Sequence, residues 1–509
     1  MKKSRIRLAA VNAITTGMVM LLNLPIQFLN RYFIVHYLGV KYLGITSLFT
    51  NILSILSLAD LGIGSAIAFL LYKPLNDNDT AKVSVLMRYY RNIYCTISAV
   101  VFLLGICIIP FLGIFLKKDV NYSNVYLIFF IYLAGSASSY LFSYNQSLLY
   151  ADQKSHIVAI FNLVVSYIML TIQIATVIKY ANPLLYAILF VFTGFVTNVV
   201  VSGYVKKKYR LLRNKAKLTK SEKDLLVQNV IGNFFLRVSG VIVTSTDSML
   251  LSAFTGVIMV GYYANYVTII NVIQKFMTQV IGAVTGTIGN FSVNKSVKSA
   301  EELFHRLQYM NFLLVSLASL AIIFLSRDVI TLWLGAKYVL STSIVMLMGL
   351  EFYVMNYRMI GWNFTAVYGL SKFMKLYSVS EMVVNLVTTF IFLAKFNMGL
   401  RGILLGTIIS TLCTVTWQDP YVIFHHGFHT STAKFFSRYV KNMILFFTEI
   451  TVLYFINIRM LNLLEYGWLH LITMGSVIVI IGVSVPLIAY YSSDEERYFL
   501  NIVKKLRMR

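Results

Sequence analysis

Charge is what this 509-residue chain has least of: only 12% of its residues are charged, and the 19 acids are outnumbered by 44 lysines and arginines. It also has just six prolines and three cysteines. With 58% hydrophobic residues and a mean hydropathy of +0.75, the apolar residues cannot all be hidden in a soluble core. Cys95, Cys107 and Cys413 all lie inside apolar runs, where thiols act as small apolar residues, which excludes a disulfide framework. No stretch between those runs exceeds a few tens of residues, so a soluble catalytic domain has no room, and no GxxxxGK[ST] loop is present to cradle a nucleotide phosphate. No catalytic residue and no metal site is expected. His36, and the His425, His426 and His429 group, lie in loops without a cysteine or carboxylate partner.

What is there instead is a succession of apolar blocks about 20 residues long, enough to cross a ~30 Å hydrocarbon layer as helices. The pattern predicts an all-α polytopic membrane protein with about fourteen spans, among them 43 to 71, 339 to 364, 376 to 394 and 402 to 424. The first run follows a charged start but lacks a small-residue cleavage site, so it is read as a retained helix. The net charge of +25 would suggest nucleic acid in a soluble protein. Here the cations collect between spans, and no nucleic-acid role is expected. Lys2, Lys3, Arg5 and Arg7, and the dense run from Lys206 to Lys223, belong to one side. By the positive-inside rule that side is the cytoplasm, and an even span count puts both termini there.

The chain also echoes itself. A shift of 217 positions carries Asn12 to Asn229, Gly39-Val40 to Gly256-Val257 and Gly44 to Gly261; further on the frame slips by one, and Tyr150-Ala-Asp-Gln-Lys154 falls on Tyr368-Gly-Leu-Ser-Lys372. Two like halves joined by a basic segment predict four parts: a six-helix lobe over 1–205, a cytoplasmic linker over 206–224, a second six-helix lobe over 225–424, and two additional helices with a basic tail over 425–509. Six spans per lobe is even, so the repeats are parallel. Such a plan suits a transporter, in which rocking one half against the other exposes a site to either side in turn. One chain supplies both lobes, so a monomer suffices.

Ionisable groups inside spans cost on the order of 2.5 to 3.5 kcal/mol each, so their positions are informative. Arg237 and Lys275 lie too deep for easy snorkelling and are candidates to bind an anion in a water-filled cavity, with Arg358 and Arg31, nearer the span ends, as further cations of that cavity. Asp60 and Asp247 are candidates for ion coupling, or for pairing with those cations to fix helix register.

Tyr37-Leu-Gly-Val-Lys-Tyr-Leu-Gly44, Leu58-Ala-Asp-Leu-Gly-Ile-Gly-Ser-Ala66, Tyr72-Lys-Pro-Leu75, Tyr150-Ala-Asp-Gln-Lys154, Thr246-Asp-Ser248 and Gly261-Tyr-Tyr-Ala-Asn-Tyr266 together resemble the Wzx-like polysaccharide flippases of the multidrug/oligosaccharidyl-lipid/polysaccharide exporter superfamily. The resemblance implies two six-helix lobes in a V-shaped MATE-like arrangement, commonly with two further helices. It implies movement of an undecaprenyl-diphosphate-linked oligosaccharide across the bacterial cytoplasmic membrane for capsule or exopolysaccharide assembly. It further implies membrane lipids, a polysaccharide polymerase and export machinery as partners, and a cationic cavity. No cofactor is expected; the drive would be an H+ or Na+ gradient or the membrane potential. Two alternatives stay open: a cation-coupled multidrug exporter of the same fold, with Asp60 as its coupling group, and a membrane glycosyltransferase or polymerase, which the short outer loops with few acids disfavour.

Overall fold

The computed structural model describes residues 2–57, 63–116, 124–209, 220–294, 296–461 and 463–507. The backbone is helical nearly throughout, with no strand among the described residues. By packing, the chain divides into Met1–Ala264 and Asn265–Arg509.

The first unit runs α1 (Lys2–Phe33), α2 (Gly39–Leu56), α3 (Ile63–Asn76), α4 (Thr80–Ile108), the short α5 (Leu112–Leu116), α6 (Val125–Ala151), α7 (Ser155–Tyr180), α8 (Pro183–Lys208) and α9 (Lys220–Thr255), and takes in the start of α10 (Val257–Asn294). α6 is its centre, packed by α8, α4 and α3, while α1 lies on α7. Close approach is built from small residues: a Cβ on Gly135 of α6 would overlap the Val191 side chain of α8, and one on Gly105 of α4 would overlap Leu133. Phe49 and Phe129, both fully buried, meet edge to face at 5.1 Å.

The second unit holds the rest of α10, then α11 (Val297–Trp333), α12 (Thr342–Asn356), α13 (Met359–Val367), α14 (Ser371–Ala394), α15 (Leu400–Cys413), α16 (Val415–Val422), α17 (Ala433–Leu461), α18 (Trp468–Ala489) and α19 (Asp494–Arg507). α11 is packed by α12, α13, α17, α18 and α19. The two additional helices are fastened to it by polar contacts that cost much to break in a lipid setting. Glu449 of α17 accepts from Ser316, and His470 of α18 pairs with Asp328 at 2.8 Å, both fully buried. The Gly467 N–H reaches the other Asp328 oxygen at 3.0 Å.

Twelve stretches among the described residues are long and apolar enough to cross a membrane, and the protein is a multi-pass membrane protein. The fourteen expected spans accord with them. The 43-residue run Ile14–Leu56 takes in α1 from Ile14 onward and all of α2, and the span expected over 339 to 364 is broken into α12 and α13, each too short to cross alone. Large apolar side chains stay exposed where lipid would cover them, as with Ile168 (56%), Ile444 (61%) and Ile480 (63%).

The sequence repeat is visible in the helix starts. Positioned 217 residues after Thr80, Val125 and Pro183 are Val297, Thr342 and Leu400, which open α11, α12 and α15 as the former open α4, α6 and α8. Tyr150–Lys154 and its echo Tyr368–Lys372 both fall at the turns entering α7 and α14. In the first of these, Lys154 pairs with Asp152, and Tyr209 donates to the same carboxylate. Burial first, and that carboxylate second, push the Tyr209 phenol well above its ordinary pKa. Asn12 ties α1 to the same turn, donating to the Gln153 carbonyl at 2.7 Å.

The equivalent glycines also meet one another. Gly39, the first residue of α2, and Gly256, just before α10, both have positive φ, +85° and +95°. One turn later the two helix starts touch backbone to backbone: a Cβ on Gly44 would overlap the Val257 carbonyl, and one on Gly261 would overlap the Val40 carbonyl. Val40 and Val257 are themselves 217 apart, so the contact is reciprocal, as a local two-fold relation requires. It draws the start of α10 into the first unit, and α9 packs on α2, α3 and α5. The packing seam therefore follows Ala264, beyond the basic segment 206–224, of which residues 210–219 lie outside the described residues.

Candidate functional site: a buried charge cluster at two helix breaks

Two interrupted helices converge in the second unit. α12 ends at Asn356, residues 357 and 358 form a turn, and α13 resumes at Met359. Such a break frees carbonyls that lipid cannot satisfy. Two buried amides of α11 satisfy them: Gln308 donates to the Tyr357 carbonyl at 2.9 Å, and Asn311 to the Asn356 and Tyr357 carbonyls at 3.2 and 3.0 Å. The second break is at Thr414, whose backbone (φ −118°, ψ −90°) leaves the helical region between α15 and α16.

Arg358 comes from the first break, Asp419 from the short helix after the second, and Glu381 from the unbroken α14. The Arg358 Nε donates to Asp419 at 2.7 Å and its Nη1 to Glu381 at 3.0 Å. Thr411 donates to the same Glu381 oxygen at 3.2 Å, and the guanidinium lies 5.0 Å from the Trp362 ring centre. All three charged side chains are largely hidden, at 9%, 13% and 4% exposure. The Oδ1 of Asp419 is buried with no hydrogen-bond partner among the described residues. Beside it is a cavity of about 20 Å³, lined in part by Arg358, Asp419, Gln308, Thr416 and Tyr439. That volume admits one water or a small cation. One guanidinium against two carboxylates leaves a net charge of −1 when both acids are ionised, and burying an uncompensated charge is expensive. One added positive charge balances the cluster.

The expected site residues are placed as follows, each within its own unit. Arg358 is committed to two carboxylates, and its charge is balanced within its own unit. Lys275 is exposed on α10, with no hydrogen bond or ion pair among the described residues. Arg31 is partly buried at the end of α1, close enough to Tyr132 and Tyr186 to interact with both hydroxyls. Asp247 is buried on α9. Arg237 lies on α9 with its side chain outside the described residues, and Asp60 lies outside them altogether. The sequence reading passed over Glu381 and Asp419. The signal for both was available: each is an acid inside an apolar run, the same criterion that selected Arg358. Among the described residues no group of three or more histidines, cysteines or acids is placed to hold a metal ion.

Comparison with known proteins completes the picture. Residues 9–286 match the model of a family described as polysaccharide biosynthesis protein. No curated protein matches the chain significantly by sequence. Among solved structures, the lipid II flippase MurJ in an inward closed conformation matches with TM-score 0.63 at 15% identity, over 98% of this chain and all of that one. An inward-facing multidrug resistance MATE transporter of the MOP superfamily matches with TM-score 0.62 at 13% identity, over 81% of this chain and 98% of that one. An outward-facing MATE transporter matches with TM-score 0.55 at 12% identity, over 81% and 95%. At these identities the likeness is one of fold. The family match spans more than half of the sequence, and the chain belongs to the polysaccharide biosynthesis protein family.

Proposed function

We propose that this chain is a flippase that carries an undecaprenyl-diphosphate-linked oligosaccharide from the inner to the outer leaflet of the bacterial cytoplasmic membrane, for assembly of capsule or exopolysaccharide. Membership in the polysaccharide biosynthesis family is the observation that carries this reading, and the fold likeness to a lipid II flippase supports it. Lys275, exposed on α10, would supply positive charge to the diphosphate, joined by Arg237 and Arg31. The lipid tail would stay among membrane lipids while the polar headgroup crosses. Both termini would be cytoplasmic, and one chain would suffice. A polymerase and export machinery would take up the product.

The Arg358–Glu381–Asp419 cluster would couple transport to an H+ or Na+ gradient. Its charge imbalance is relieved by one cation, and helix breaks at membrane depth are where transporters place such sites. Asp247 and Asp60 would serve as secondary coupling or pairing groups. The fold likeness to multidrug transporters supports a second reading, a cation-coupled drug exporter.

Proteoliposomes loaded with labelled undecaprenyl-diphosphate oligosaccharide test both readings. Wild type should move the lipid to the opposite leaflet faster under an imposed proton or sodium gradient. Asp419→Asn should fold but lose the acceleration, and Lys275→Ala should slow transport about tenfold, the equivalent of one charge-assisted contact. Absence of lipid movement, together with drug efflux in a sensitised strain, would replace the flippase by the exporter.

A further inference from the structure

The first unit contains an open cavity of about 460 Å³ lined by residues of α1, α2, α6, α7 and α8. That lies within the ~300–1,000 Å³ range of small-ligand sites. Among the described residues no lysine, arginine, histidine or acid lines it; Arg31 interacts with Tyr132, on its wall, without itself lining it. A bound diphosphate would need a cation there, and a bound sodium ion a carboxylate or a cage of carbonyls. What lines it is neutral and incompletely hydrogen-bonded. Gln173, 4% exposed, donates to the Thr193 hydroxyl at 3.0 Å, and its Oε1 makes no hydrogen bond among the described residues. Asn30 accepts from the Tyr186 hydroxyl at 2.6 Å, and its N–H groups have no partner among the described residues. The Ser136 and Ser166 hydroxyls, on α6 and α7, have no partner among the described residues. On another wall Tyr132 and Phe190 stack at 5.4 Å, presenting flat aromatic surface.

Gln173 is buried, while Asn30, Ser136 and Ser166 are partly exposed where they face the cavity, so water or a ligand in the cavity is what can pair them. Donors and acceptors in alternation, without charge and beside an aromatic wall, match a group whose hydroxyls each donate and accept and whose ring has an apolar face. We propose that the cavity lined by Asn30, Ser136, Ser166, Gln173 and Thr193 is a saccharide subsite that takes one or two uncharged sugar residues. The identification of that sugar with the transported oligosaccharide rests on the flippase reading; the subsite itself does not. It divides the labour of recognition: neutral hydroxyls are read inside the first unit, and the charged headgroup elsewhere.

The test is protection of a cysteine in the cavity. In a full-length background with Cys95, Cys107 and Cys413 replaced by serine, Ser166→Cys is treated with a small hydrophilic methanethiosulfonate. Labelling is followed with added glucose, galactose, N-acetylglucosamine, maltose or lactose, and in parallel with inorganic diphosphate or sodium chloride. Labelling slowed at least fivefold by one or more sugars, by neither salt, and restored about tenfold in sugar concentration by adding Gln173→Leu is the expected result. Protection by diphosphate or sodium alone would overturn the assignment in favour of a charged ligand. Labelling that no sugar affects would mean a hydrated cavity only, and failure to label while Leu463→Cys labels would mean a closed one; either overturns the subsite. The transport assay separates the two claims. Lipid movement without sugar protection keeps the flippase and removes the subsite, and sugar protection without lipid movement does the reverse.

Discussion

Individual residues are where the lipid setting makes small changes expensive. Removing Arg358 would leave Glu381 and Asp419 facing each other without a counter-charge, and breaking a buried pair from one side costs about 3–5 kcal/mol. Arg358→Ala should therefore lower the thermal unfolding temperature of the detergent-purified protein markedly, and Arg358→Ala combined with Glu381→Gln and Asp419→Asn should recover much of the loss. Equal loss in the single and triple variants would show that the cluster is not held by charge. Gly44 is sensitive for a steric reason. Its missing Cβ makes room for the Val257 carbonyl, so Gly44→Ala forces backbone apart at a cost of about 1–3 kcal/mol, and Gly261→Ala should cost a similar amount because the contact is reciprocal. Gly17, with nothing within 4 Å of the position of its Cβ, is the control: Gly17→Ala should be nearly neutral in the same unfolding measurement.

At the scale of elements, the break between α12 and α13 persists because α11 reaches across to it. Asn311→Leu removes an amide shared by the Asn356 and Tyr357 carbonyls and leaves the former without that donor. An orphaned buried carbonyl costs about 1–3 kcal/mol, so Asn311→Leu should destabilise by that amount in thermal unfolding. Because the break positions Arg358, the variant should also weaken the gradient dependence of transport; an unchanged dependence would separate the break from coupling. The helices themselves were legible as apolar blocks, and the equivalent starts at Gly39 and Gly256 were legible as repeated glycines. The breaks were not. The run over 339 to 364 is apolar on both sides of residue 357, and what interrupts the helix is donors on α11, about 45 residues away in sequence.

For the molecule as a whole, the proposed arrangement of an even number of crossings with both termini cytoplasmic predicts where each loop would lie. In intact cells, a membrane-impermeant thiol reagent should label Leu463→Cys, in the exposed turn between α17 and α18, and should not label Ser493→Cys, after α18, until the membrane is permeabilised. The opposite pattern would invert the topology, and labelling of both would remove α18 as a span.

The sequence by itself determined the membrane class, the helical composition, the approximate span count, the twofold repeat and the family resemblance. Each of these depends on local composition or on matches along the chain, which lipid converts directly into structure because an isolated apolar segment has no alternative to a helix. Only the tertiary structure decided which charges are balanced and which polar groups are left to meet a ligand. Arg358 meets its two carboxylates, Glu381 and Asp419, across 23 and 61 residues of sequence, and nothing local announces either pairing. The neutral cavity of the first unit had no sequence signature, since single serines, an asparagine and a glutamine on five helices become a site only when packing gathers them. Pairing between distant side chains is set by helix packing, and that information resides in the fold rather than in any one segment.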